Sequence, residues 1–74
     1  MKYDNLKQKT IFDLTEDKEI LDQIVAPGEK DFFLQNMTDN ERAVTFLELA
    51  DLTGDTDLEK ATMEQFKDVL KKDE

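Results

Sequence analysis

The stretch "TDNERAVTFLELADLTG", residues 38 to 54, decides the fold. Thr38 and Glu41 stand three apart, as in a capping box. There the threonine side chain accepts a backbone N–H of the first helical turn, and the glutamate returns to the threonine N–H. Ala43, Phe46, Leu47 and Ala50 then recur at spacings of three and four, flanked by Val44 and Leu49. That is the one-sided pattern of an amphipathic helix, not the alternation of a strand. Gly54 follows where a left-handed C-cap favours a residue without a β-carbon. A capped helix of this kind needs apolar partners, and the flanking sequence offers further helices.

Downstream, Thr62-Met63-Glu64-Gln65 repeats the capping-box form and predicts the start of a last helix. Its Met63, Phe66, Val69 and Leu70 face inward, and Lys67, Lys71 and Lys72 lie toward the C-terminal end, where the helix dipole favours positive charge. Upstream, Thr10-Ile11-Phe12-Asp13 has the form of a helix N-cap, and "TIFDL" reads as a short first turn. Ile20, Leu21, Ile24 and Val25 line one face of a helix over about residues 16 to 25. Ala26-Pro27-Gly28 stops it, because proline lacks the N–H donor and glycine accepts positive φ. "EKDFFLQNM", residues 29 to 37, reads as a two-turn helix. No β-branched run is long enough to argue for a strand. The expected fold is therefore all-α, a small single-domain bundle of about four helices with short connections. It spans residues 10–72, after a flexible basic N-terminal segment at residues 1–9. Its expected core is Phe12, Ile20, Leu21, Ile24, Phe46, Leu47, Met63, Phe66 and Leu70.

Composition narrows the chemistry. The 74 residues include no cysteine, histidine, serine or tryptophan. Thiolate and imidazole metal sites are excluded, as is nucleophile chemistry built on serine or cysteine with histidine. Carboxylates are the abundant reactive groups, and pairs such as Asp55/Asp57 or Glu16/Asp17 carry no sign of the cleft that acid–base work needs. No enzymatic activity is expected and no cofactor is implied.

Residues 10 to 66 hold fifteen acids against Lys18, Lys30, Arg42 and Lys60, a local net charge of −11 within a chain of net −9. Such a body repels phosphate backbones, so direct nucleic-acid binding is not expected. The longest uncharged stretch, "FFLQNMT", falls far short of the roughly 20 apolar residues of a membrane span. "MKYDNLKQKT" has no apolar core for a signal peptide. The expected compartment is the cytoplasm if the chain is a complete gene product.

Two stretches invite functional readings. "DLTGDTDLEKAT", residues 51 to 62, sets oxygen-bearing side chains at alternate positions, as a calcium-binding EF-hand loop does. However, Thr56 stands where that loop needs glycine, and Thr62 where it needs a bidentate glutamate. The expectation is a helix–turn–helix junction with replaceable aspartates and Thr62 as a cap. Asp51, Asp55, Asp57 and Glu59 would exert at most weak cation attraction. The second stretch is "DFFLQNM". Phe32, Phe33 and Leu34 are consecutive, and three neighbours on a helix cannot all face one core. At least one is expected at the surface, as a contact patch toward a parent domain or within a homodimer.

"TIFDLTEDKEILDQI", the proline–glycine turn, "MTDNERAVTFLELADLTG" and "TMEQFKDVL" together resemble a small helical module. It occurs at the C-termini of some bacterial carbohydrate-active enzymes, family 3 glycoside hydrolases in particular. The resemblance runs from residue 10 to residue 70, without an alignment for "EKDFFLQN". That module has no active-site residues to carry over, so the resemblance implies a non-catalytic accessory or protein-interaction role. The expected partner is a parent enzyme domain or a basic protein, with the chain a monomer or weak homodimer. The alternatives are a stand-alone acidic regulator or inhibitor from a mobile element, imitating a nucleic-acid backbone, and a degenerate EF-hand.

Overall fold

The computed structural model describes residues 3–70, so the positions of Lys71 and Lys72 lie outside the described residues. Among the described residues the chain is helical and contains no strand. A 3-10 turn, Leu6–Gln8, precedes helix α1, Ile11–Leu14. Asp13 accepts the Thr10 N–H at 2.9 Å and so closes the short first turn. Helix α2, Lys18–Ile24, is capped by Asp17, whose Oδ1 accepts the N–H of Glu19 at 2.9 Å. It ends before Pro27-Gly28, where Gly28 takes φ +88° and the Glu29 N–H reaches Ala26 O at 3.0 Å. Proline then glycine at the centre of such a turn is the type II arrangement, which requires positive φ at its third residue.

The next segment is helical over residues 30–36, as expected, but its winding is not that of a regular α-helix. Phe32–Asn36 form a short π-helical turn that continues from helical residues 30 and 31. Helix α3, Asp39–Thr53, follows with its capping box in place: Thr38 Oγ1 accepts the Glu41 N–H at 3.2 Å, and Glu41 Oε1 accepts the Thr38 N–H at 3.0 Å. Gly54 ends it at φ 69°, in the left-handed region.

Helix α4 begins earlier than expected. It covers Thr56–Gln65, and its N-cap is Asp55, whose Oδ1 accepts the Leu58 N–H at 3.1 Å. Gly54 and Asp55 thus serve as C-cap and N-cap in succession. This early start carries Leu58 into the core, where it is fully buried. Thr62 is consequently not a cap. It lies inside α4, fully buried, with its hydroxyl donating to Leu58 O at 2.8 Å. That back-bond satisfies the only polar group its side chain carries. The same register turns Met63 outward, 53% exposed and no longer part of the core. The chain breaks at Phe66 and resumes as α5, Lys67–Leu70.

The buried apolar core is Leu6, Ile11, Phe33, Ala43, Phe46, Leu49, Ala50, Leu58 and Phe66. Phe46 and Phe66 meet edge to face with ring centroids 6.1 Å apart. Phe12, Ile20, Leu21, Ile24 and Leu70 pack around this centre, half-buried, and Leu47 is half-buried on α3. In α3 it is Leu49, not Leu47, that completes the inward stripe with Phe46 and Ala50. Within the segment expected to be flexible and basic, residues 1–9, Tyr3 and Leu6 join the core cluster, while Asp4, Asn5 and Gln8 are exposed. Leu6 enters the core at 0% exposure and anchors this segment, because removing it from water is favourable.

Candidate interaction surface

Of the three neighbours in "DFFLQNM", the π turn buries Phe33 and leaves Phe32 and Leu34 at the surface, 37% and 38% exposed. The two phenylalanine rings meet edge to face at 5.7 Å, so Phe32 leans on a fixed aromatic support. The expected patch thus reduces to two displayed side chains flanking a core anchor.

Beside this turn lies an open groove between α1, α2 and the Pro27-Gly28 turn. Phe12, Leu21, Val25 and Pro27 give it apolar walls, and Lys18, Lys30 and Asp22 stand among its lining residues. Lys30 Nζ sits 5.9 Å from the centroid of the Phe12 ring, a cation–π contact. Neither Lys18 nor Lys30 forms an ion pair among the described residues. Two of the other described cations are engaged. Lys7 approaches both Asp68 carboxylate oxygens at 3.2 Å, and Arg42 Nη1 donates to Lys7 O at 2.6 Å.

The four carboxylates of residues 51 to 59 do not converge. Asp51 is exposed near the end of α3, and Asp57 and Glu59 are exposed in the first turn of α4. Acids in a first turn are stabilised by the helix dipole without any ion. Asp55 is turned to structural use: beyond capping α4, its Oδ2 accepts the Tyr3 hydroxyl at 2.5 Å. That bond, with burial and the charges of Asp55 and Asp57, pushes the Tyr3 phenol up to about 12. Among the described residues no three potential ligands are grouped to hold a metal ion.

The Tyr3–Asp55 contact escaped sequence reasoning because it joins residues far apart in the chain. So did the pair of bonds made by Gln65, whose Oε1 accepts the Leu6 N–H at 2.7 Å and whose Nε2 donates to Tyr3 O at 2.6 Å. The Asp55 cap had a readable signal, an aspartate directly after a C-cap glycine.

The outer faces of α3 and α4 form a third surface. Glu41, Glu48 and Asp51 on α3, and Asp57, Glu59 and Glu64 on α4, are all exposed, with Val44, Leu52 and Met63 among them.

Fold and surface together define a small all-α domain, and no helix among the described residues is long and apolar enough to cross a membrane. In comparisons with known proteins, no family model, curated protein or solved structure matches the chain.

Proposed function

We propose that this chain is a non-catalytic protein-interaction module that docks on a protein partner through Phe32 and Leu34. The observation that carries the reading is the pair of large apolar groups held outward on the π turn, on either side of buried Phe33. Adjoining apolar side chains exposed at a surface can mark a contact site, and side chains already held in place lose less freedom on binding. The lack of histidine, cysteine and serine leaves few groups for catalysis, which fits an accessory role. In the accessory form of the reading, the partner is another domain of a carbohydrate-active enzyme, in keeping with the resemblance over residues 10 to 70.

A second reading, an acidic regulator that engages a basic protein, has support from the exposed carboxylates of α3 and α4. One experiment separates the two. A photo-crosslinking phenylalanine analogue is placed at position 32 and, in a second sample, at position 48 on the outer face of α3. The docking reading expects a discrete adduct from position 32 that disappears on Leu34→Asp. Adducts from position 48 alone, suppressed by raised salt, would favour the acidic regulator.

A further inference from the structure

The groove and the π turn have complementary chemistry, and they join at consecutive residues. The groove sets two cations, Lys18 and Lys30, against one acid, Asp22, beside the apolar Phe12, Leu21 and Val25. These are two of only four cations between residues 10 and 66, and neither is ion-paired among the described residues. An occupant that suits this groove carries apolar side chains next to an acid. The π turn presents that combination: exposed Asp31 immediately precedes Phe32, and Leu34 stands beyond it. Lys30 belongs to the groove and Asp31 to the patch, so the two surfaces adjoin. Adjoining complementary surfaces can close on a two-fold axis, each copy giving its patch and receiving its partner's, which leaves neither surface open for further growth.

From this juxtaposition we infer that the occupant of the groove is a second copy of this chain, in a symmetric dimer. Asp31, Phe32 and Leu34 of each copy meet the Lys18–Lys30 groove of the other. The inference rests on the reading of Phe32 and Leu34 as a docking patch and names its partner. Stable interfaces take about 800 Å² from each partner, and a contact confined to one groove and one turn is small by that measure. Net charges of −9 also oppose each other. The dimer is therefore weak, forming toward millimolar concentration at moderate salt, where the long-range repulsion is screened.

Sedimentation equilibrium of the full chain, from micromolar to millimolar at moderate salt, reads the association directly. The wild type is expected to move from monomer toward dimer mass across that range. Two charge-reversed proteins supply the specific test: Lys18→Glu with Lys30→Glu, and separately Asp31→Lys. All three positions are exposed, so both proteins are expected to keep the wild-type helical circular-dichroism spectrum. Each alone sets like charges across both half-contacts and is expected to stay monomeric. An equimolar mixture restores opposite charges at both half-contacts and is expected to dimerise. A wild type that stays monomeric to millimolar overturns the inference, as does a dimer indifferent to the reversals. The docking reading is judged separately. If the wild type is monomeric while the position-32 adduct persists and is lost on Leu34→Asp, the patch serves another protein. If that adduct is absent as well, both readings fall.

Discussion

Asp55 carries two structural tasks with its two oxygens. Oδ1 caps α4 through the Leu58 N–H, and Oδ2 holds the Tyr3 hydroxyl. Loss of an aspartate N-cap costs about 1 kcal/mol, and here the same substitution also releases Tyr3. Asp55→Ala is therefore expected to lower stability by about 1–2 kcal/mol in urea denaturation, while Asp57→Asn, exposed in the first turn, changes it little. The tyrosine gives a pH signature. Hydrogen bonding to Asp55, then burial and nearby negative charge, raises the Tyr3 phenol from 10.0 to about 12, so the folded state favours the neutral form. Its stabilisation is complete below the unfolded value of 10.0 and is lost as pH rises through about 12. Tyr3 is the only tyrosine and there is no tryptophan, so phenolate absorbance reports this group alone. The folded chain is expected to titrate near 12, and Asp55→Asn to bring the midpoint down toward 10.0. An ordinary midpoint in the wild type would refute the contact.

At the scale of elements, the α3–α4 junction turns on one backbone angle. Gly54 at φ 69° has no atom within 4 Å of a β-carbon built on it, so a substitution there costs conformational strain and not collision. Asparagine tolerates the left-handed region, alanine costs about 1–2 kcal/mol there, and a β-branched residue costs more. Thermal melts are expected to rank Gly54→Asn above Gly54→Ala and Gly54→Val lowest; equal melting temperatures would contradict the C-cap. This junction also shows what the sequence made legible. The α3 helix was readable end to end because Thr38, Glu41 and Gly54 each act locally. The α4 start was misplaced because Thr62-Met63-Glu64-Gln65 mimics a capping box, whereas Asp55 directly after Gly54 does the capping. Met63 followed that error outward. Phe32 and Leu34 were legible only as a conflict of faces; which of the three neighbours turns inward depends on the π-helical winding, which places Phe33 in the core cluster. Met63→Ala is expected to be nearly neutral, and Phe66→Ala to cost about 3–5 kcal/mol.

At the scale of the whole molecule, the question is what holds the N-terminal segment to a body of opposite charge. Lys7 meets Asp68 at 3.2 Å, but that pair is 38% and 70% exposed. Exposed pairs contribute about 0–1 kcal/mol and are screened by salt. Leu6, by contrast, is fully buried, and the backbone around it is tied by Gln65 and by Arg42 at Lys7 O. Burial therefore outweighs charge in docking this segment. Leu6→Ala is expected to cost about 2–5 kcal/mol, enough to threaten a domain whose total margin is of the same order. Lys7→Ala, which removes the ion pair and the approach of its ammonium to the Phe66 ring at 5.7 Å, is expected to cost less than Leu6→Ala. Salt separates the two causes further. Added sodium chloride weakens the Lys7–Asp68 pair but also screens repulsion among the fifteen acids between residues 10 and 66. If burial anchors the segment, screening of the repulsion dominates and the wild-type melting temperature rises with salt. A melting temperature that fell with salt, together with a Lys7→Ala loss as large as that of Leu6→Ala, would mean that charge holds the N-terminal segment in place.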